Sequence, residues 1–188
     1  VTQRQNRYNA FVSIMRGCDN YCSYCIVPYV RGREFSRTVT DIVDEVKKLA
    51  DDGCKEITLL GQNVNSYGKG LNGQVTLATL LRELDPINGI ERIHFITSHP
   101  KDMTREIMEA VGELSRVCEY LHMPAQSGSD RILKKMKRQY TSAHYRELVE
   151  MAKSTVPGIK IASDFIVGFP GETEEDFQET VSLLNDVR

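Results

Sequence analysis

Three closely spaced cysteines are the residues of this chain best suited to chemistry. Cys18, Cys22 and Cys25 follow the first apolar run of the sequence in a C-x3-C-x2-C arrangement. A cubane iron–sulfur cluster normally takes four cysteine thiolates, one on each iron. Three thiolates on one loop would leave one iron open to a ligand from outside the protein. The spacing therefore predicts a redox cluster with an open coordination site.

A zinc site is the main alternative for the same three thiols. Structural zinc takes four protein ligands, and catalytic zinc takes three and a water molecule. The spacing differs from the C-x2-C pairs of zinc-binding modules, and the sequence has no second pair that could complete a tetrahedron. The pattern favours the cluster, and a non-catalytic, zinc-stabilised RNA-binding module is the rival hypothesis.

Composition and charge restrict the class of protein. The chain has 188 residues, a formal net charge of −2 and five cysteines, an odd number that disfavours a disulfide framework and favours metal ligation in a reducing compartment. The polar start, VTQRQNRYN, has no signal-peptide core, and no apolar run approaches the length of a membrane span. We therefore expect a cytoplasmic protein that does not enter a membrane. Contact with nucleic acid would need a local basic patch.

Strand patterns and helix patterns alternate along the sequence. Apolar runs predict five strands, at residues 11–15, 57–60, 92–97, 120–123 and 159–167. Helical periodicity follows each of them, which implies right-handed crossovers and a parallel sheet. A closed eight-stranded barrel needs about 250 residues. The pattern therefore predicts either a partial, open barrel or a doubly wound sheet.

The helices carry recognisable starts and apolar faces. Thr76 and Thr104 are predicted to cap two of them, and residues 173–176 form a capping box for the last. We expect that last helix to pack through Phe177, Val181 and Leu184. Residues 1–9 resemble a linker from a missing upstream domain. Residues 10–188 are expected to form one core domain that stops before a sixth strand.

Unusual polar residues follow the strands, where parallel α/β folds place their chemistry. Besides the cysteine loop, these segments are Gln62-Asn63, Ser98-His99-Pro100, Gln126-Ser127-Gly128, and Asp164 with residues 168–171. Cys54 and Cys118 instead precede strands and are not expected to be ligands. Asp164 could bind a ribose or be a satisfied structural carboxylate. Gln126 could contact a ligand or cap the next helix. The basic segments at 31–33 and 134–138 could be solvated faces or contacts to RNA phosphates.

The cysteine loop and four further segments resemble the radical S-adenosylmethionine (SAM) methylthiotransferase family. The motif of the superfamily, C-x3-C-x-aromatic-C, is met by the three cysteines and Tyr24. The matching segments are FVSIMRGCDNYCSYCIVPYVRGREFSR, TLLGQNVNSYG, TSHPKDM, HMPAQSGSDRILKKMKRQY and DFIVGFPGETEEDF. The resemblance implies an α/β fold of the radical SAM type, an incomplete (β/α)6 partial TIM barrel with parallel strands.

The resemblance also implies cofactors and a reaction. Cys18, Cys22 and Cys25 would bind a [4Fe-4S] cluster whose open iron is chelated by the amino and carboxylate groups of S-adenosyl-L-methionine. An electron delivered through the cluster would cleave SAM to methionine and a 5′-deoxyadenosyl radical. The radical would abstract hydrogen from C2 of N6-isopentenyl-adenosine 37 in tRNA, where a methylthio group is installed. Family alternatives are a ribosomal-protein aspartate or a threonylcarbamoyl-adenosine in tRNA.

Five side chains are implied to contact SAM, with Tyr24 and Ile166 near the adenine, Gln126 and Asp164 on the ribose, and Arg138 at the carboxylate. No catalytic residue is implied beyond the cluster ligands. The family carries a second [4Fe-4S] cluster in an N-terminal domain and an RNA-binding TRAM domain at the C-terminus, and neither is recognisable in this sequence. The expected partners are a tRNA substrate and an electron donor such as flavodoxin or ferredoxin. We do not expect this piece to complete methylthiolation alone.

Overall fold

The computed structural model describes residues 7–187. Residues 1–6 of the predicted linker, and residue 188, lie outside the described residues. The strands are β1 Asn9–Ser13, β2 Met15–Arg16, β3 Phe35–Ser36, β4 Glu56–Leu60, β5 Arg92–Phe95, β6 Tyr120–His122 and β7 Lys160–Ala162. The helices are α1 Val27–Arg31, α2 Val39–Asp51, α3 Leu77–Leu84, α4 Arg105–Glu113, α5 Asp130–Lys135, α6 Ser142–Thr155 and α7 Glu174–Asp186.

The main strands are parallel, and their spatial order in each sheet is the same as their order in the sequence. β4 lies between β1 and β5, and Val12 is paired with Leu59 in the first of these ladders. β6 and β7 form a second parallel pair. An isolated bridge from Ile93 to Val117 connects the two sets at the start of β6. The prediction of an α/β, incomplete (β/α)6 barrel with parallel strands is confirmed.

One face of the strands packs against the helices and forms the core. On β1, Val12 is fully buried, whereas its neighbour Phe11 on the opposite face is 71% exposed. The buried strand residues meet the apolar stripe of each helix, such as Ile42 and Val46 of α2. Burying apolar area against helices is the main favourable term in such a layered fold.

Threonines define where most of the long helices begin. The side chains of Thr76, Thr104 and Thr173 each accept a hydrogen bond from the backbone N–H three residues later, as predicted. Thr38 and Thr141 cap α2 and α6 in the same way. Each such cap satisfies an N–H that the helix itself leaves unpaired.

Several predicted strands are shorter in the structure. The third ends at Phe95, because Thr97 adopts a left-handed backbone conformation with φ of 67°. The fifth covers only Lys160–Ala162, and beyond it the chain makes a single bridge from Phe165 to Gln126. The first is interrupted at Ile14, after which β2 pairs antiparallel with β3. Neither β2, β3 nor the short helix α1 was predicted from the sequence.

The predicted core face of the last helix is wrong by one position. Phe177 is 37% exposed and Leu184 is 38% exposed, whereas the buried residues of α7 are Asp176, Thr180 and Leu183. Polar contacts set this orientation. Asp176 accepts from the Ser129 hydroxyl at 2.6 Å and from Arg131 Nε at 3.1 Å, and Thr180 Oγ1 accepts from the Gly128 N–H at 2.9 Å. Periodicity alone favoured the larger apolar side chains.

No helix among residues 7–187 is both long enough and apolar enough to cross a bilayer.

Candidate functional site

The cysteine loop follows β1 and β2 and leads into α1. It starts at Gly17, which has φ of 77° and whose N–H donates to Gln62 Oε1 at 2.7 Å. A Cβ at this position would lie 2.0 Å from the Arg33 carbonyl oxygen. Only glycine fits both the left-handed conformation and the close approach of the backbone. Gln62, which follows β4, therefore supports the loop that presents the first cysteine.

The three predicted ligands lie close together on this loop. Cys18 and Cys22 are buried and Cys25 is half-buried, and all three are free thiols. The Cys25 N–H donates to the Cys22 carbonyl at 3.0 Å, which makes a tight turn between them. Burial raises the pKa of the Cys18 thiol, and Glu34, Cys22 and Cys25 raise it further. A bound cation would offset that cost by stabilising the thiolates.

The donor set suits an iron–sulfur cluster. Three thiols on one short loop match the soft ligands that such clusters take. Within residues 7–187, no three His, Cys, Asp or Glu side chains converge on one point where a single metal ion could sit. The thiolates of a cubane bind three different irons, so a cluster does not require that convergence. The loop is compatible with the predicted ligand assignment, which stays a prediction.

The end of α5 holds the cysteine loop from the other side. The backbone N–H of Ser23 donates to the Met136 carbonyl at 3.1 Å, and the Ser23 hydroxyl donates to the Lys135 carbonyl at 2.9 Å. These carbonyls belong to the last turn of the helix, where intrahelical donors run out. Ser23 lies between the second and third cysteines, so the contact positions both.

Arg138 lies directly behind the loop. Its side chain is buried, and it donates from Nη1 to Cys22 Sγ at 3.5 Å, from Nε to the Tyr140 hydroxyl at 3.0 Å and from Nη2 to the Pro124 carbonyl at 3.2 Å. Burial lowers the pKa of the guanidinium, but Tyr140, Tyr24 and Cys22 outweigh it and leave the pKa raised. The resemblance implied a contact from Arg138 to the carboxylate of SAM. The guanidinium lies beside Cys22, and its role toward SAM stays a prediction.

Tyr24 and Phe169 present aromatic surface beside the thiols. Their rings meet edge to face, with centroids 6.5 Å apart. Burial raises the pKa of Tyr24 to about 12, so the phenol is neutral at physiological pH. The Tyr24 ring remains 41% exposed. It can therefore lie against a flat ligand, as predicted for the adenine. Phe169 belongs to the segment 168–171 that the sequence pointed to, but its contact with Tyr24 was not predicted.

The remaining predicted SAM contacts meet at the ends of β6 and β7. The Gln126 N–H donates to the Asp164 carbonyl at 2.9 Å, and the Ile166 N–H donates to the Gln126 carbonyl at 2.8 Å. Gln126 has φ of 68°, a conformation that is rare for residues other than glycine and is enriched at functional sites. The structure thus brings Gln126, Asp164 and Ile166 together on neighbouring segments. Their role toward SAM stays a prediction.

Two histidines at this edge have clearer roles than the sequence suggested. His122 Nε2 lies 2.9 Å from Asp164 Oδ2, while its Nδ1 accepts from the Thr97 N–H at 3.4 Å. His99 is buried, and its Nδ1 accepts from the Lys101 N–H at 3.2 Å. Burial, followed by Arg138, Lys101 and another nearby lysine, lowers the pKa of His99 to about 2. His122 lies in a predicted strand, and only its pairing with an acid 42 positions later reveals its contact.

The other two cysteines lie at the opposite ends of the strands. Cys54 is fully buried before β4, and its thiol donates to the Glu56 carbonyl at 3.2 Å. Cys118 precedes β6, with Sγ 3.3 Å from His94 Nε2. Both thiols have protein partners there. The predicted position before the strands is confirmed, and the exclusion of both from the cluster ligands stays a prediction.

Two relatives with similar sequences carry the same name. The chain is 58% identical over 186 residues to tRNA-2-methylthio-N(6)-dimethylallyladenosine synthase from Thermoanaerobacter pseudethanolicus, covering 99% of this chain and 40% of that protein. It is 56% identical over 184 residues to the protein of the same name from Clostridium botulinum strain Okra, covering 98% of this chain and 41% of that protein. The chain therefore spans about two fifths of the length of these relatives.

Solved structures share the fold at low sequence identity. A radical SAM methyltransferase from Kitasatospora setae, solved with cobalamin and a [4Fe-4S] cluster, superposes with a TM-score of 0.75 at 21% identity, over 94% of this chain and 32% of that chain. A cobalamin-dependent SAM radical enzyme superposes with a TM-score of 0.70 at 16% identity, over 93% of this chain and 26% of that chain. The model of the radical SAM superfamily matches residues 12–184. With the cysteine loop at the carboxyl ends of its parallel strands, the chain belongs to the radical SAM superfamily.

Proposed function

We propose that this chain is the radical-generating core of a tRNA methylthiotransferase that modifies C2 of N6-isopentenyl-adenosine 37. The observation that carries the proposal is the 58% identity, over 99% of the chain, to a protein named for that product. The aligned region of 186 residues includes every strand end that carries a candidate site residue. Because the chain covers about 40% of that relative, the complete reaction belongs to a longer protein.

The proposed cofactors are a [4Fe-4S] cluster and SAM. Cys18, Cys22 and Cys25 would hold three irons of the cluster, and the fourth iron would take SAM. When bound, the cluster supplies the electron for reductive cleavage of SAM. Gly17 and Ser23 keep the cysteine loop in place through their contacts to Gln62 and to the last turn of α5.

The protein's own side chains would bind and orient SAM. The neutral, half-exposed phenol of Tyr24 offers an edge or face to the adenine. Asp164 can accept hydrogen bonds from a ribose diol, as acidic residues do at strand ends of nucleotide-binding folds. Gln126 and Ile166 are held beside it by the backbone bridge between the ends of β6 and β7. Precise placement of both reactants is how such a site would direct a radical to one hydrogen.

Further parts of the reaction depend on partners and on domains outside this chain. We propose residues 10–188 as the core domain, and Asn9 joins it because it pairs with Glu56 in the ladder of β1 and β4. The predicted linker of residues 1–9 is therefore shortened to the residues before Asn9, which would lead to an upstream domain with the second [4Fe-4S] cluster. A tRNA would be the substrate, and flavodoxin or ferredoxin would deliver the electron. The exposed basic residues of 31–33 beside the cysteine loop, and of the segment 134–138 at the end of α5 and just after it, could contact phosphates.

Two experiments test the proposal. In a strain that lacks the gene, the tRNA should contain N6-isopentenyl-adenosine and no methylthio derivative of it, as measured by mass spectrometry of nucleosides. Restoring the full-length gene should restore the methylthio group, and restoring a Cys22→Ala gene should not. Unchanged methylthio-isopentenyl-adenosine in the deletion strain would contradict the assigned substrate.

The second experiment separates an enzyme from a zinc-stabilised RNA-binding module. Full-length protein reconstituted anaerobically with iron and sulfide should develop the visible absorption of iron–sulfur clusters. With SAM and dithionite it should then release 5′-deoxyadenosine. A colourless protein that binds zinc and forms no cluster would support the binding module instead.

A further inference from the structure

The short helix that follows the cysteine loop exposes apolar side chains to solvent. In α1 only Pro28 is buried, whereas Ile26, Tyr29 and Val30 are 65%, 74% and 68% exposed. Their spacing of three and four residues places these three side chains on one side of the helix. Large apolar side chains that are exposed together mark interaction sites. We call these three residues the α1 surface.

Tyr21 extends the α1 surface onto the cysteine loop itself. It lies between Cys18 and Cys22 and is 45% exposed, and its ring meets the Tyr29 ring edge to face with centroids 5.9 Å apart. Tyr21 has φ of 48°, a left-handed conformation that is rare for a bulky residue and is enriched at functional sites. The apolar surface is therefore continuous with the segment that carries the predicted cluster ligands.

Positive charge dominates the exposed part of this segment. Residues 16–35 contain three arginines, Arg16, Arg31 and Arg33, and all three are exposed. The two acids of the segment are less accessible, since the side chain of Asp19 is 32% exposed and that of Glu34 is 2% exposed. The whole chain has a formal net charge of −2, so this positive charge is a local feature. A partner with an acidic contact face would complement it.

The α1 surface is attached to the cysteine loop at two points. Ile26 follows Cys25 directly, and the Gly32 carbonyl just after the helix accepts from the Cys18 N–H at 3.2 Å. Apart from Tyr24, the residues proposed for SAM lie after α5 and at the ends of β6 and β7. A partner on the α1 surface would therefore lie next to the cluster without using the contacts proposed for SAM.

We propose that the α1 surface is the docking site of a small one-electron carrier protein with an acidic contact face, of the flavodoxin kind. The inference rests on the proposed function, which requires an electron at the cluster. The carrier would lose one electron and the cluster would gain it, and no bond within this chain would form or break. Interfaces between redox carriers and their partners are small, and complementary charge steers the two proteins together. An apolar centre with tyrosine and arginine residues is typical of such protein interfaces.

Aliphatic side chains favour a protein partner over RNA at this surface. Proteins recognise unpaired bases mainly by stacking them on aromatic rings and on arginine. Ile26 and Val30 offer no flat face for stacking, yet they are among the most exposed apolar side chains of the described residues. Of the two basic segments, the one at 31–33 therefore suits the electron carrier.

The dependence of SAM cleavage on flavodoxin concentration tests the docking site. Full-length protein with reconstituted clusters is assayed for 5′-deoxyadenosine, either with reduced flavodoxin or with dithionite, a small reductant that needs no docking site. The variants are Arg31→Glu and Val30→Asp, both at exposed positions of α1. The matched control is Lys47→Glu, the same reversal of charge at an exposed position of α2.

The variants should differ in how they use the protein donor. Arg31→Glu and Val30→Asp should each raise the apparent KM for flavodoxin about tenfold at low salt, because each adds a negative charge opposite an acidic partner. The rate at saturating flavodoxin and the rate with dithionite should stay nearly unchanged. Higher ionic strength should reduce the difference, since salt screens exposed charges. Lys47→Glu should match the unmodified protein.

Three results would overturn the inference. An unchanged KM for flavodoxin in both α1 variants would show that the donor docks elsewhere or that another part of the full-length protein covers the α1 surface. Weaker tRNA binding with an unchanged dependence on flavodoxin would assign the surface to RNA. An equal rise in KM in Lys47→Glu would show a general effect of charge.

Iron content and the dithionite assay separate docking from damage to the loop. Should Arg31→Glu lose its cluster, Val30→Asp decides alone, because replacing a side chain that is 68% exposed opens no core cavity. Loss of iron in both variants would show that α1 supports the loop and would also count against docking. Failure of the unmodified protein to release 5′-deoxyadenosine with dithionite would instead contradict the proposed function.

Discussion

His122 donates its Nε2 proton to Asp164 Oδ2 across a distance of 2.9 Å. The other ring nitrogen, Nδ1, accepts from the Thr97 N–H, which assigns the proton to Nε2. The histidine therefore fixes the orientation of a carboxylate whose side chain is 65% exposed at the proposed ribose site. A positioned acid binds a diol with less loss of side-chain freedom.

Replacing His122 by Gln or Ala should weaken ligand binding through Asp164. Loss of one partly exposed hydrogen bond to a carboxylate costs about 1 kcal/mol, which corresponds to a roughly fivefold loss of affinity for S-adenosylhomocysteine. Isothermal titration checks this value. In an Asp164→Asn background the His122→Ala change should have little further effect, and fully additive losses would contradict the coupling.

Each cysteine of the loop should be required for cleavage of SAM. Replacing Cys18, Cys22 or Cys25 by Ala should abolish 5′-deoxyadenosine formation with dithionite, because each removes one cluster ligand. Cys54→Ala and Cys118→Ala are the matched controls and should retain nearly full activity. Each control variant should lose only about 1 kcal/mol in free energy of unfolding, because removing the thiol leaves a small cavity. Equal loss in all five variants would refute the ligand assignment.

Gly17→Ala should impair the loop much more than Gly70→Ala. Both glycines have left-handed backbones, with φ of 77° and 81°, so alanine costs about 1–2 kcal/mol at either position. A Cβ at Gly17 also meets the Arg33 carbonyl at 2.0 Å, whereas nothing lies within 4 Å of a Cβ at Gly70. The overlap should add about 1–3 kcal/mol and reduce the iron content after reconstitution. Urea unfolding measures the loss of stability, and iron assays measure the iron content after reconstitution. Equal losses in Gly17→Ala and Gly70→Ala would show that the backbone around Gly17 relaxes without a free-energy cost.

His99 should make the cluster-free chain less stable in mild acid. Burial, with Arg138, Lys101 and Lys69, lowers the pKa of His99 to about 2 from its unfolded value of 6.5. Between these values only the unfolded chain binds the proton, so stability falls as the pH drops below 6.5. Because of His99, the free energy of unfolding should be about 2 kcal/mol lower at pH 5 than at pH 7.

The matching experiment is urea unfolding at pH 7 and pH 5 in His99→Asn. The asparagine can still accept from the Lys101 N–H, and it does not titrate, so the variant should lose less stability than the unmodified chain on acidification. His144→Gln, a change on the exposed surface of α6, is the control and should keep the full pH dependence. The same pH dependence in all three proteins would contradict the role of His99.

Local patterns in the sequence predicted the elements well where neighbouring residues determine them. The threonine caps at Thr76, Thr104 and Thr173 were correct because a cap depends on atoms three residues away. The alternation of strands and helices was sufficient for the parallel α/β arrangement, but it left a partial barrel and a doubly wound sheet open. The strand lengths and the face of α7 were wrong, because left-handed residues such as Thr97 and buried polar contacts of Asp176 override apolar periodicity.

The sequence by itself determined the three thiols, their spacing and their place after the first strand, all of which follow from covalent order. Tertiary structure decided which side chains support them. Arg138 reaches Cys22 across 116 positions, and His122 reaches Asp164 across 42. No periodicity or motif encodes such pairs, since they exist only when packing of the helices and strands brings distant segments within hydrogen-bonding distance.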